Sequence, residues 1–208
     1  PKVILVGEMR DRETVELGLS AAETGHLVMS TLHTIDAGQT INRILGMFEL
    51  EEQDQIRQRL ADTLRWVVSQ RLAPKINGGR HALLEIMGNN IRTKDTIIQG
   101  ESDGKTFYEI IEASYTFGWR NFDQACIEAY EEDKISEESA LLYCSKRGNT
   151  SRGLDNIKKK RGEVSGPQER LAMQDNTEIR RKPRGGTPGG GLSGGAPGGS
   201  SPPPLKLR

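Results

Sequence analysis

Two side chains suited to acid–base or phosphate chemistry stand directly after short apolar runs of the sequence. Glu8 follows Val3–Val6 and one glycine, and His33 closes a run that begins at His26. Ligands of a parallel α/β sheet bind beyond the carboxyl ends of its strands, which is where Glu8 and His33 are expected. A carboxylate there can act as a general base on water or hold a water bound to Mg2+, and a histidine can donate to a phosphate. Each residue could instead have a purely structural role. Glu8 could cap a neighbouring helix, and His33 could be a hydrogen-bonded core histidine.

His26 stands at the opposite end of the second apolar run from His33. An extended run of this length separates the two rings by about 20 Å. The two histidines therefore cannot bind one metal ion if the strand is regular, and the sequence predicts no metal site built from protein side chains alone.

A second motif, Gly100 to Thr106, resembles a phosphate-binding loop. Its spacing is GxxxGKT, because Gln99 stands where GxxxxGK[ST] needs a glycine. The segment also follows a helical pattern, whereas a phosphate loop needs a strand to aim its backbone amides. We therefore do not expect it to bind phosphate.

The surrounding residues predict an α/β fold. Val3–Val6 is a continuous apolar run, typical of a strand covered on both faces of a parallel sheet. Asp11 and Gly25 are placed to begin and end a helix before the second strand, and Asp36 begins another. Two strand–loop–helix units in succession predict a parallel sheet with right-handed crossovers.

The rest of the body is predicted to be mainly helical. A long helix is expected from about Glu51 to Leu72, followed by a hairpin around Asn77-Gly78-Gly79. Further helical patterns cover roughly 91–99, 105–116, 122–132 and 136–147.

Composition divides the chain near residue 150. From Ser151 onward there are 12 basic and 5 acidic residues, so the neutral total of 208 residues combines an acidic body with a basic tail. Residues 185–208 are mostly Gly, Pro and Ser and are expected to be disordered. Two basic clusters, 158–161 and 180–184, suit a solvated linker or a contact with nucleic acid or anionic lipid. The predicted parts are 1–88, a partial α/β core; 89–150, a helical subdomain; and 151–208, the disordered tail.

The remaining composition favours a cytosolic protein. No apolar run is long enough to span a bilayer, and no secretory signal pattern is present in the sequence. Cys126 and Cys144 are spaced as two reduced thiols rather than as a metal or redox motif.

Several longer strings are more specific than these single features. They are VILVGEMRD at 3–11, AAETGH at 21–26 and STLHT at 30–34, with further similarity in TINRI at 40–44, SQRL at 69–72, GGR at 78–80, EIM at 85–87 and FDQA at 122–125. Over about residues 1–145 the chain resembles the PilT-like branch of the type II/IV secretion ATPases, hexameric motors of twitching motility. The first string resembles the family's Walker B segment, and residues 23–34 resemble its histidine box.

This resemblance implies a partial RecA-like P-loop NTPase core that uses ATP and Mg2+. Glu8 would be the catalytic carboxylate and His33 would report on the γ-phosphate, while His26, Arg10 and Arg43 would contact nucleotide or a neighbouring subunit. The implied partners are other copies in a homo-hexamer, a paralogous motor and the inner-membrane pilus platform. The implied location is the cytoplasmic face of the inner membrane, with peripheral membrane association allowed and no nucleic-acid partner.

Two departures from the family pattern carry further expectations. The family's glycine-rich phosphate loop lies upstream of the Walker B strand, and this chain begins two residues before that strand. We therefore expect a C-terminal portion of a motor subunit that does not hydrolyse ATP alone. Retraction motors of the family typically carry an Ala-Ile-Arg-Asn-Leu-Ile segment, of which residues 89–95 keep only Ile91-Arg92. The parent protein is therefore either the principal retraction motor or an accessory PilU-like paralogue.

The sequence is also compatible with two other function classes. One is a non-enzymatic module that docks on a pilus motor or membrane platform. The other is a nucleic-acid binder, which the acidic body and the lack of aromatic residues in the basic stretches disfavour.

Overall fold

The computed structural model describes residues 1–163 of the chain. The Gly/Pro-rich segment and the basic cluster at 180–184 lie outside the described residues. In order, the elements are β1 (Val3–Val6), α1 (Arg12–Glu23), β2 (Leu27–Ser30), α2 (Ala37–Leu45), α3 (Leu50–Thr63), β3 (Trp66–Pro74), β4 (Arg80–Gly88), α4 (Ile91–Gln99), α5 (Phe107–Ala113), a 3-10 helix (Tyr115–Phe117), α6 (Phe122–Glu131), α7 (Glu137–Tyr143) and α8 (Arg147–Arg161).

The first half of the α/β prediction is confirmed. Strands β1 and β2 pair in parallel, with Val6 opposite Ser30, and α1 makes the crossover between them. Asp11 caps α1 by accepting the Thr14 N–H at 2.9 Å, and Asp36 caps α2 by accepting the Gln39 N–H at 2.8 Å. Each cap fixes the residue at which its helix begins. It therefore also fixes the length of the loop between the preceding strand and the helix.

Coverage of this sheet on both faces was predicted, and the structure differs. Val3 and Leu5 of β1, with their partners Leu27 and Met29 of β2, form one face whose side chains are each at least half exposed. Val28 on the other face lies against α1 near Gly18. Within residues 1–163 only one face is packed, because α1 is the helix that covers this pair of strands.

The predicted long helix is also corrected. Helix α3 ends at Thr63, and the residues predicted to continue it form strand β3. Val67, Ser69 and Ala73 are buried while Trp66, Val68 and Leu72 are exposed, which is the two-residue period of a strand. The apolar positions 64, 67 and 68 have the spacing of a helix face, whereas the β-branched pair with its neighbouring tryptophan favours the strand.

The predicted hairpin around Asn77-Gly78-Gly79 is confirmed. Strands β3 and β4 pair antiparallel from Trp66 opposite Gly88 to Pro74 opposite Arg80. Gly78 and Gly79 both have positive φ, at 84° and 76°, so the tight turn depends on their lack of a Cβ.

The buried apolar residues form two clusters, and the hairpin contributes to both. The first cluster gathers α1, α2, α3, α4 and α5 and includes Val67 and Met87 of the hairpin. The second gathers α6, α7 and α8 and includes Ala73 and Leu83. The β3–β4 hairpin therefore joins the N-terminal α/β part to the helical C-terminal part.

The mainly helical character of the second half is confirmed, but its end lies further along the chain than predicted. Disorder was expected from residue 151, whereas α8 continues to Arg161 and buries Leu154 and Ile157. Two members of the first basic cluster are engaged within the fold, since Lys158 pairs with Glu137 and Arg161 with Asp133. The apolar positions 154 and 157, one helical turn apart, were the signal for this packing.

None of the helices within residues 1–163 is long and apolar enough to cross a membrane.

Candidate functional site

The structure brings Glu8 and His33 together, as their positions after neighbouring strands predict. Oε1 of Glu8 lies 3.4 Å from Nε2 of His33. Oε2 of Glu8 accepts a hydrogen bond from Nε of Arg10 at 2.6 Å. Each carboxylate oxygen therefore faces a different nitrogen group, and the side chain of Glu8 is only 17% exposed while those of Arg10 and His33 remain 74% and 77% exposed.

A threonine ties the two loops of this site together. The hydroxyl of Thr31 donates to the carbonyl oxygen of Gly7 at 2.6 Å, and the N–H of Met9 donates to the carbonyl oxygen of Thr31 at 3.2 Å. Thr31 thus holds the backbone on both sides of Glu8. The parallel register, continued one residue beyond Val6 and Ser30, places Gly7 opposite Thr31, so pairing of the two strands was the signal that could have identified this residue.

The charges around Glu8 keep it ionised. The hydrogen bond from Arg10 is the main cause that lowers the pKa of Glu8 below its ordinary value, with further lowering by the charges of Arg10, His33 and Arg43. The carboxylate therefore stays an acceptor at neutral pH, suited to hold or orient a water molecule.

Arg43 belongs to the same electrostatic surroundings through α2. It lies in the last turn of that helix, exposed, and its charge favours the ionised form of Glu8. Together with the exposed ends of Arg10 and His33 it gives the rim of the site a positive character that suits a polyanionic ligand.

His26 lies at the other end of β2 from His33, as the strand geometry predicts. Its Nδ1 is 3.1 Å from the carbonyl oxygen of Ala21 and 3.1 Å from the hydroxyl of Thr24, both at the end of α1. These contacts tie the start of β2 to α1. Contact of His26 with nucleotide or a second subunit stays a prediction.

The GxxxGKT segment does not form a phosphate loop within the described fold. It follows α4 rather than a strand and turns into α5. Two of the first three N–H groups of α5 already have partners in the chain: Glu101 accepts from Phe107 at 2.8 Å, and Thr106 accepts from Glu109 at 3.3 Å. Amides that are already bonded are not available to bind a phosphate.

The fit of Mg2+ to this site rests on one carboxylate. Within the part of the chain that the structure describes, no group of three or more His, Cys, Asp and Glu side chains is placed to hold a metal ion. Mg2+ commonly keeps several waters and takes one or two carboxylates together with substrate phosphates. Glu8 fits such a role as the single protein oxygen donor, directly or through water.

The sequence of this chain matches a known protein family and several of its members. The type II/IV secretion system protein family matches residues 1–116. The chain is 41% identical over 140 residues to the type IV pilus retractation ATPase PilT of Pseudomonas aeruginosa, covering 67% of this chain and 40% of PilT. It is 35% identical over 144 residues to the type IV pilus ATPase PilU of the same organism, covering 69% of this chain and 37% of PilU.

Two solved structures share the fold. A crystal structure of the pilus retraction motor PilT with bound ADP matches with a TM-score of 0.61 and 38% identity, over 73% of this chain and 42% of that one. The Legionella pneumophila ATPase DotB matches with a TM-score of 0.59 and 29% identity, over 68% of this chain and 38% of that one. The chain spans about two fifths of the length of these relatives. By its family match and by these relatives, the chain belongs to the type II/IV secretion system protein family.

Proposed function

We propose that this chain supplies the Walker B and histidine-box part of an ATP-hydrolysing motor that retracts type IV pili. The observation that carries the proposal is the convergence of Glu8 and His33 at the carboxyl ends of two parallel strands. The relatives whose names include pilus retraction and twitching motility support the biological setting. A PilT structure with bound ADP supports ATP as the nucleotide.

In the proposed reaction, Glu8 orients the attacking water by accepting a hydrogen bond from one of its protons. Its lowered pKa makes it a weak base, so positioning of the water is its larger contribution. His33, exposed and next to Glu8, donates a hydrogen bond to the γ-phosphate region. Mg2+, when bound with the nucleotide, neutralises charge on the phosphates.

Phosphate binding in this proposal comes from a glycine-rich loop outside the described part of the chain. Within residues 1–163 the GxxxGKT segment follows a helix rather than a strand and has two of its first helix amides already bonded, so it does not supply that loop. We accordingly propose that the 208-residue chain alone hydrolyses ATP very slowly and that the complete RecA-like motor domain is needed.

We further propose that the complete motor is a homo-hexamer, alone or together with a paralogous motor, at the cytoplasmic face of the inner membrane beside the pilus platform protein. The half-exposed apolar face of β1 and β2 supports burial of this sheet by another part of the motor. The same apolar face is the observation that favours the second candidate, a non-enzymatic module that docks on a motor or platform.

ATP turnover by the full-length protein, with its oligomeric state measured by sedimentation, separates these functions. The motor proposal predicts Mg2+-dependent hydrolysis by a hexamer and little hydrolysis by the 208-residue chain. A full-length protein that assembles with a pilus motor but hydrolyses no ATP would instead establish the docking module.

A further inference from the structure

A buried carboxylate lies behind the loop that carries His33. Glu85 is on β4, only 3% exposed, and its Oε1 accepts the N–H of Ala37 at 2.8 Å. Ala37 is the first residue of α2, and the same helix already has its own cap in Asp36. Glu85 thus anchors the start of α2 to the β3–β4 hairpin, 48 residues away along the chain.

Arg71 on β3 holds the loop two residues before this helix. Its guanidinium donates to the carbonyl oxygen of Ile35 at 3.4 Å and to that of Tyr143, at the end of α7, at 2.7 Å. It also stacks over the ring of Phe122, with 3.8 Å between guanidinium carbon and ring centroid. One side chain therefore contacts the His33 loop and the C-terminal helices at once.

The loop between β2 and α2, residues 31–36, is fixed at its two ends. Thr31 bonds to Gly7 and Met9 at the first end, and Glu85 and Arg71 hold Ala37 and Ile35 at the second. His33 lies between them with a side chain that is 77% exposed, so its own packing does little to fix its position. Its distance from Glu8 depends on how firmly the loop ends are held.

We propose that Glu85 and Arg71 are positioning residues that hold the 31–37 segment so that His33 stays against Glu8. This inference rests on the proposed hydrolytic role of the Glu8–His33 site. Through the Arg71 contact with Tyr143, the positioning also depends on the packing of the C-terminal helices.

The charged groups around Glu85 affect its charge state, and its charge state affects how strongly it holds α2. Asp36, the cap of α2, and Asp123 from α6 lie near it as negative groups, and Arg71 from β3 as a positive one. Burial is the main cause that raises the pKa of Glu85 to about 7, and the N–H of Ala37 opposes the rise. Both the neutral and the ionised carboxyl accept this N–H, and the ionised form accepts it more strongly.

The test compares Glu85→Leu, Glu85→Gln and a matched control in the full-length protein. Glu101→Leu is the control, because Glu101 accepts the first N–H of α5 at the same 2.8 Å that separates Glu85 from the first N–H of α2. The readouts are amide hydrogen exchange in residues 31–37 and the separate kcat and KM for ATP.

For Glu85→Leu we expect exchange in residues 31–37 to accelerate about tenfold, the equivalent of one lost hydrogen bond. We expect kcat to fall about tenfold or more with KM little changed, because a reacting group is displaced while nucleotide binding is kept. Glu85→Gln keeps the hydrogen-bond acceptor, so exchange in residues 31–37 should stay slow and most of kcat should be retained. Because the glutamine does not ionise, kcat should change less with pH near pH 7 than it does in wild type. Glu101→Leu should accelerate exchange mainly at the start of α5, where its bond to Phe107 lies.

Unchanged exchange in residues 31–37 of Glu85→Leu overturns the proposal, as does an equal loss of kcat in Glu101→Leu. If Glu85→Leu does not fold, Arg71→Lys replaces it, since lysine keeps the charge but cannot span both carbonyl oxygens. Exchange in Arg71→Lys should accelerate at residues 31–37, and an unchanged rate there overturns the proposal. If the wild-type full-length protein hydrolyses no ATP, the proposed function fails, and the exchange comparison still decides whether Glu85 and Arg71 hold the loop.

Discussion

Nε2 of His33 lies 3.4 Å from Oε1 of Glu8, although a helix and a strand separate the two residues along the chain. Parallel pairing of β1 with β2 brings the ends of these strands to the same edge, and the contact follows from that register. Arg10 occupies the other oxygen of Glu8. Because the two oxygens of Glu8 contact different residues, the effect of each contact can be tested separately.

Arg10→Gln is expected to raise the pKa of Glu8 toward its ordinary value. Arg10 supplies both the hydrogen bond and the nearest charge that lower this pKa, so its loss makes the ionised carboxylate less favourable. An NMR titration of the Glu8 side-chain carboxyl carbon measures the shift. Arg12→Gln is the matched control, because Arg12 pairs with Glu16 and Glu52 instead. An equal titration midpoint in wild type and Arg10→Gln would contradict the electrostatic description.

Thr31→Val is expected to lower ATP turnover of the full-length protein strongly but its free energy of unfolding only slightly. The hydroxyl bond to Gly7 is exposed, so its loss should cost about 1 kcal/mol or less. The loops that carry Glu8 and His33 would separate, and turnover should fall about tenfold. Thr63→Val removes a similar hydroxyl-to-carbonyl bond, to Arg59 in α3, and should leave turnover unchanged. Equal turnover in the two variants would exclude a positioning role for Thr31.

Glu85 is expected to make the fold less stable as pH rises from about 4.5 to 7. Its pKa is raised in the folded state, so the unfolded chain releases the proton first and the folded state binds more protons over that interval. The raised pKa corresponds to at most about 3 kcal/mol over the whole interval. Urea unfolding of the 208-residue chain at several pH values, compared with Glu85→Gln, measures this slope. The variant should lose this contribution to the slope, and a slope equal to that of wild type would refute the assignment to Glu85.

Two glycines of α8 test whether this helix packs as described. A Cβ at Gly148 meets nothing within 4 Å, whereas a Cβ at Gly153 lies against Ile127, with its Cγ1 at 2.9 Å. Gly148→Ala should stabilise the chain by about 0.5–1 kcal/mol, since alanine favours helix. Gly153→Ala should destabilise it by about 1–3 kcal/mol because the site is already filled. Urea unfolding measures both, and stabilisation by Gly153→Ala would show that α8 does not pack on α6.

Local signals in the sequence predicted the elements that carry Glu8 and His33. Continuous apolar runs gave the two strands, and capping aspartates at 11 and 36 gave the helix starts. The segment from Leu64 to Leu72 was predicted wrongly, because Leu64, Val67 and Val68 have the spacing of a helix face and the pairing with β4 is not visible in the sequence.

Long-range contacts explain what the sequence did not predict. Thr31, Arg71 and Glu85 act through backbone groups that are distant along the chain, and hydrogen bonds to backbone leave no pattern of side-chain types. The exposed apolar face of β1 and β2 was missed for a related reason, since a strand run shows that a face is apolar but not which element covers it.

The most direct test of the account is single-turnover ATP hydrolysis by the full-length protein, comparing Glu8→Gln with Glu13→Gln at matched oligomeric state. Glu13 is an exposed glutamate in the first turn of α1, five residues after Glu8, so its variant controls for the loss of one negative charge. We predict that Glu8→Gln lowers the hydrolysis rate at least about a hundredfold while nucleotide binding and assembly are retained, and that Glu13→Gln is unaffected. Hydrolysis by Glu8→Gln at the wild-type rate would contradict the account.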